Sequence, residues 1–173
     1  TALVVHIENA PVVLCGCRAL EAFSRCAPPW PERMACTTGP VMHLLEKYAP
    51  SSAIQRACLA TLNNVVEAAG PAACHGVSPD AVVDSLEKHL DDSTVLGSGF
   101  ALLERIVAAV PCATLPRAVK VLLRVTGDFS SGGDALETLL CGCRVTAAVL
   151  SRYGQAPEDP ALARSAAQLF SSA

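Results

Sequence analysis

The chain has 173 residues, 51% of them hydrophobic but only 4% aromatic, with a formal net charge of −3. This length is ample for one ordinary core. The near-neutral balance of 13 basic and 16 acidic side chains provides no electrostatic footprint for nucleic acid or an anionic membrane. An interior of Ala, Leu, Val and Cys lets helices approach closely, which favours stacked helices over a sandwich of aromatic pairs.

In chain order, apolar residues Leu3, Val4, Val5 and Ile7 predict a helix over 2–10 that stops before Pro11. A second helix over 12–26 runs to Ala27-Pro28-Pro29, and Trp30 lies in the proline-rich turn. Residues 32–36 form a short helix or loop. Thr38-Gly39-Pro40 opens a helix over 41–48 that ends at Ala49-Pro50. Ser52-Ala53-Ile54-Gln55 has the capping-box arrangement and starts a long helix reaching Ala69, closed by Gly70-Pro71. Ser78-Pro79 opens a helix over 80–90, Asp91-Asp92-Ser93 turns the chain, and a helix follows over 94–110. Gly97 and Gly99 inside it each cost about 1 kcal/mol against Ala, a cost that close crossing by a neighbouring helix would offset. A short helix over 117–125, the loop Asp128-Phe129-Ser130-Ser131-Gly132-Gly133, a helix from Asp134 to Tyr153 and a last helix over 161–170 complete the chain.

These elements repeat. Leu14-Cys15-Gly16-Cys17-Arg18 returns letter for letter as Leu140-Cys141-Gly142-Cys143-Arg144. Leu45-Glu46-Lys47 and Leu86-Glu87-Lys88 begin two runs that align without a gap at an offset of 41, pairing Ala60 with Ala101, Leu62 with Leu103 and Val66 with Val107. Extended outward, this register puts Cys17, Cys58, Gly99 and Cys143 in one column, the last interval being stretched by the Gly/Ser loop. Self-similarity at this period is the signature of a helical repeat array.

The stretch Cys58-Leu59-Ala60-Thr61-Leu62-Asn63-Asn64-Val65-Val66, small residues followed by Leu-x-Asn-hydrophobic, resembles the long third helix of an armadillo repeat. Armadillo and HEAT units run about 40–47 residues, and the resemblance covers nearly the whole chain. It implies a right-handed α-solenoid of about four armadillo-like repeats, over 1–30, 38–75, 78–114 and 115–157, plus a terminal helix over 159–171 in one domain. Solenoids of this kind bind along the surface lined by the last helix of each repeat. The groove residues so implied are Glu21, Arg25, Asn63, Asn64, Glu67, Glu104, Arg105, Arg144 and Arg152. Asn64 leads, because an amide can donate to and accept from an extended peptide backbone together, and Arg105 can receive a carboxylate or an aromatic face.

No catalytic constellation is legible. In Cys-Gly-Cys on a helix the two thiols point roughly 200° apart, so they cannot grip one ion, and zinc-type spacing of thiols is absent. Cys74-His75 lacks a third, orienting group. Asp91-Asp92 and Glu158-Asp159 fall at turns and helix starts, where acids suit the positive helix end. Gly132-Gly133 has no following Lys-Ser/Thr. The expectation is a non-enzymatic scaffold with no cofactor and no metal, holding a peptide or partner protein in its groove. The alternative is a docking or self-association segment of a larger protein, acting through its terminal repeats. Nine Cys, an odd number set in apolar runs, point to free thiols in a reducing compartment, cytoplasm or nucleus. No apolar run reaches the length needed to cross a bilayer. The start at Thr1, inside a helical pattern, points to a segment of a longer chain.

Overall fold

The computed structural model describes residues 5–26, 34–109, 115–128, 140, 142–147 and 151, which form helices and their connections with no strand among them. The helices are α1 (Ala10–Ser24), a 3-10 turn (Met34–Thr37), α2 (Thr38–Lys47), α3 (Ser52–Ala69), α4 (Pro71–Cys74), α5 (Pro79–Lys88), α6 (Ser93–Ala109) and α7 (Leu115–Asp128). Residues 142–147 are also helical. The helix expected over 161–170 and the residue Arg152 lie outside the described residues.

Helix starts follow local chemistry, with two differences from the sequence reading at α1 and α3, besides the start of α2 at Thr38 instead of 41 and the unexpected short helix α4. Pro11 opens α1 instead of ending a preceding helix. Asn9 adopts the extended capping conformation and its side chain accepts from Val12 N. Proline suits this first turn because its missing N–H has no intrahelical partner there. The second difference is at α3, whose cap is Ser51 without a side-chain cap bond. Gln55 does not reach back along its own helix. It donates sideways to Leu45 O at 2.7 Å and Tyr48 O at 3.0 Å, so a buried inter-helix bond replaces the expected capping box. At α5 the Ser78 hydroxyl accepts from Ala81 N, as the Ser-Pro opening implies. Asp92 caps α6, accepting from Thr94 N and Val95 N. Gly70, at φ 69 and ψ −157, ends α3 in a region closed to residues with a Cβ.

Packing arranges the helices in two rows. The long helices contact in series, α1 on α3 and α3 on α6, and the short ones likewise, α2 on α5 and α5 on α7. Cross-links between the rows pair α2 with α3 and α5 with α6. Among the described residues, α3 and α6 each have a short helix ahead of them in sequence, and α3 has a long helix on either flank. Position in the row sets burial. The inner helix α3 buries nine residues, among them Ile54, Cys58, Leu59, Leu62 and Val66, whereas the outer α1 buries only Val13, Cys17 and Ser24. One contiguous core runs from Val13 to Val145 through Leu45, Leu62, Leu86, Phe100 and Leu122.

Lateral bonds keep the spacing read from the sequence. Tyr48 Oη donates to Ile7 O, His89 Nε2 lies 2.8 Å from Ala49 O, Asn64 Nδ2 donates to Ser24 Oγ at 2.9 Å, and Arg105 Nη1 donates to Asn63 Oδ1 at 2.8 Å. Their partners are 40 to 42 residues apart.

Glycine allows the closest approaches between rows. A Cβ on Gly99 would stand 2.5 Å from Leu86 Cδ2, and one on Gly142 would stand 2.0 Å from Leu122 Cδ1. Where Gly99 meets Leu86 on α5, the residue that meets Leu122 on α7 is Gly142. Cys143, placed there by the sequence register, is exposed. A one-residue shift rotates a helical side chain by about 100°, enough to exchange a buried glycine for an exposed thiol.

Candidate binding surface

The implied groove residues lie on consecutive long helices. Glu21 and Arg25 project from α1, Asn63, Asn64 and Glu67 from α3, and Glu104 and Arg105 from α6, while Arg144 is exposed on the helical residues 142–147. Several of them bond to one another across the helices. Asn64 ties α3 to α1 through Ser24, whose hydroxyl in turn donates to Glu21 O at 2.7 Å. Arg105 ties α6 to α3, donating to Asn63 Oδ1 and, through Nη2, to Glu67 Oε2 at 3.0 Å, while Nη1 also reaches Ala101 O at 3.2 Å. Glu21 and Arg25 pair along α1. The result is a polar rail crossing three helices, half-buried at its centre and exposed at Arg25 and Glu67.

This geometry limits what the rail can offer a ligand. One of the two Asn64 N–H groups is taken by Ser24, leaving the other for a further bond. The Arg105 guanidinium is spread over three acceptors, of which Glu67, its side chain 63% exposed, is the easiest to displace, and two of its five N–H groups are left for a further acceptor. Glu104 is half-buried beside it.

Elsewhere the polar groups brace the fold. Gln55, fully buried, receives the Ser85 hydroxyl on Oε1 at 2.6 Å and so joins α2, α3 and α5 in one network. Arg56 pairs with Asp92 at 2.8 Å across an open polar depression lined also by Ser52 and His89, and the other oxygen of Asp92 is already used in capping α6. Arg117 on α7 reaches Asp84 at 2.6 Å, Glu87 at 2.9 Å and Asp80 at 3.6 Å on α5. The hydrogen bonds it donates to Glu87 and Asp84 raise its already high pKa further, so it is charged at any working pH. The Asp80, Asp84, Glu87 spacing, four and then three residues, was a legible acidic stripe on one helix face. The Gln55–Ser85 contact had no comparable signal, because a Gln near a helix start reads first as a cap.

The thiols divide by burial. Cys15 is exposed and Cys17 is buried, as the helical angle between them requires. Cys17 Sγ lies 3.8 Å from Cys58 Sγ across the α1–α3 contact. Cys74 belongs to α4 and is buried. Its Sγ sits near Gly70 O and Arg105 O, and burial pushes its pKa up. A thiol kept neutral in this way is a poor nucleophile. Among the described residues no three His, Cys, Asp or Glu side chains gather as a metal-binding group, and no helix is long and apolar enough to cross a membrane.

Comparison with family models, with curated proteins and with solved structures finds no match to this chain.

Proposed function

We propose that the chain is a non-enzymatic protein-interaction scaffold, a right-handed α-solenoid of about four armadillo-like repeats that holds a peptide or partner protein along the flank of its long helices. The observation that carries this reading is the polar rail of Ser24, Asn64, Asn63, Glu67 and Arg105, which crosses α1, α3 and α6 in one register. Recurrence of lateral bonds near 41 residues supports the repeat architecture, since translation-related units repeat their contacts. The thiols free among the described residues suit a cytoplasmic or nuclear setting.

The test compares proteins bound by the tagged chain with those bound by Asn64→Ala/Arg105→Ala and by Arg117→Ala, which lies off the rail. The reading requires a partner lost with the rail variant and kept with Arg117→Ala, both variants remaining folded by circular dichroism. Partners unchanged by the rail variant would remove the groove as the binding surface.

A second reading, docking or self-association through the stack ends, is favoured by a separate observation. Val5 is 76% exposed, Val12 40% and Phe23 54% at the α1 end, and Leu140 is 52% exposed on the last described helix. Its measurement is molar mass by light scattering across a concentration series, where self-association predicts a rise that Val12→Glu abolishes.

A further inference from the structure

We propose that Cys17 and Cys58 are a modification site, a thiol pair that a small-molecule disulfide oxidises to a cystine locking the first long helix onto the second. Their sulfurs are in contact at 3.8 Å, one on each side of the α1–α3 interface, and both side chains are buried, 1% and 0% exposed. Bond formation brings the sulfurs to about 2.05 Å, a closure of less than about 2 Å that a small slide of α1 along α3 can accommodate.

The asymmetry of the interface sets the order of events. The outer helix α1 buries three residues and α3 buries nine, so α1 lifts away at far lower cost than α3 can be exposed. Cys17 is then the thiol that meets solvent. Carried into solvent on α1, the Cys17 thiol ionises there and attacks.

In the first step the Cys17 thiolate bonds to one sulfur of the oxidant, whose S–S bond breaks. The departing thiolate takes up the proton that Cys17 released. In the second step Cys58 gives its proton to solvent and its sulfur attacks Cys17 Sγ, forming the intramolecular bond. The second small thiol leaves and is protonated in turn. Two protein thiols have lost two electrons and two protons, and one small disulfide has become two thiols. The repeated Cys-Gly-Cys word thus has different roles in its two copies. In the first, Cys17 finds a partner across a helix contact, while in the second Cys143 is exposed to solvent.

The experiment uses glutathione disulfide on the reduced, folded 173-residue chain, with alkylation and peptide mapping, in wild type and in a Cys15→Ser/Cys26→Ser/Cys36→Ser/Cys143→Ser background that removes the exposed thiols among the described residues. The expected product is a Cys17–Cys58 cross-linked peptide in both backgrounds, with the unfolding midpoint raised by roughly 8–16 °C for a loop of this length. In Cys58→Ser, glutathione should stay on Cys17 as a stable mixed disulfide. The proposal is overturned if Cys17 and Cys58 remain alkylatable while exposed thiols oxidise, if Cys17 pairs with another cysteine, or if the cross-link forms without raising the midpoint. None of these outcomes depends on whether the rail binds a partner.

Discussion

Replacing Gly99 by Ala pits two effects of known sign against each other. Helix propensity alone makes the change favourable by about 1 kcal/mol in a helix interior. The new Cβ, however, would lie 2.5 Å from Leu86 Cδ2 and 3.1 Å from Cγ. Carbon pairs settle near 3.5–4.0 Å, so Leu86 must retreat by at least about 1 Å. Leu86 is 0% exposed within the core, and its neighbours leave no open side to move into. Overpacking of this kind costs about 1–3 kcal/mol, enough to cancel or reverse the propensity gain. Gly39, with nothing within 4 Å of its Cβ position, is the internal control, and there, in the first turn ahead of Pro40, Ala should stabilise by up to about 0.5 kcal/mol. Urea unfolding at constant slope should place the Gly99→Ala midpoint at or below wild type and the Gly39→Ala midpoint above it. In a Leu86→Ala background, itself destabilised by about 2–5 kcal/mol, Gly99→Ala should become stabilising. If Gly99→Ala stabilises wild type as much as Gly39→Ala does, the close approach of α5 and α6 is not what selects glycine there, and the reasoning fails.

Ser85→Ala removes the donor to the buried Gln55 Oε1 and should cost about 1–3 kcal/mol, the range for leaving a buried acceptor unpaired. Val at the same position should cost more, because it adds bulk as well, and both losses are read from urea midpoints. Cys74 predicts a pH effect of definite sign. Burial raises its folded pKa above the ordinary value of 9.0, so at high pH the unfolded chain ionises while the folded chain keeps the proton. The unfolded state then binds fewer protons, and stability falls as pH rises above about 9. Thermal melts in Cys74→Ala should show a shallower fall than wild type. Arg117→Ala should cost only about 0–1 kcal/mol, and less at high salt, since the Arg117 side chain is 41% exposed and its acidic partners 38–65%. A loss several times larger that persists in high salt would mean that the α5–α7 contact depends on this cluster more than its exposure allows.

Much of the helix pattern was legible because helix boundaries are local. Ser78-Pro79, Asp92, Gly70 and the run from Ile54 to Val66 carry their starts, stops and buried faces within a few residues, and the chain folds there as those signals direct. The 41-residue spacing was legible too, since equivalent positions that pack alike need alike side chains, and the bonds from Tyr48 to Ile7 and between Cys17 and Cys58 keep it. Partnerships between helices were not legible. Gln55 carries the local signature of a cap, but the carbonyls of Leu45 and Tyr48 and the hydroxyl of Ser85 come from other segments of the chain, and a buried amide bonds wherever partners surround it. The rail residues could be named from sequence, yet their mutual engagement through Ser24, Asn63 and Glu67 depends on the sideways spacing of α1, α3 and α6. Cys17 and Cys143 stand in identical five-residue words, and only the tertiary structure separates them. Another long helix covers Cys17, whereas Cys143 is exposed, one residue beyond the Gly142 that packs on Leu122. Local sequence determines which backbone is helical and which face is apolar, while burial and bonding depend on what the rest of the chain brings against that face.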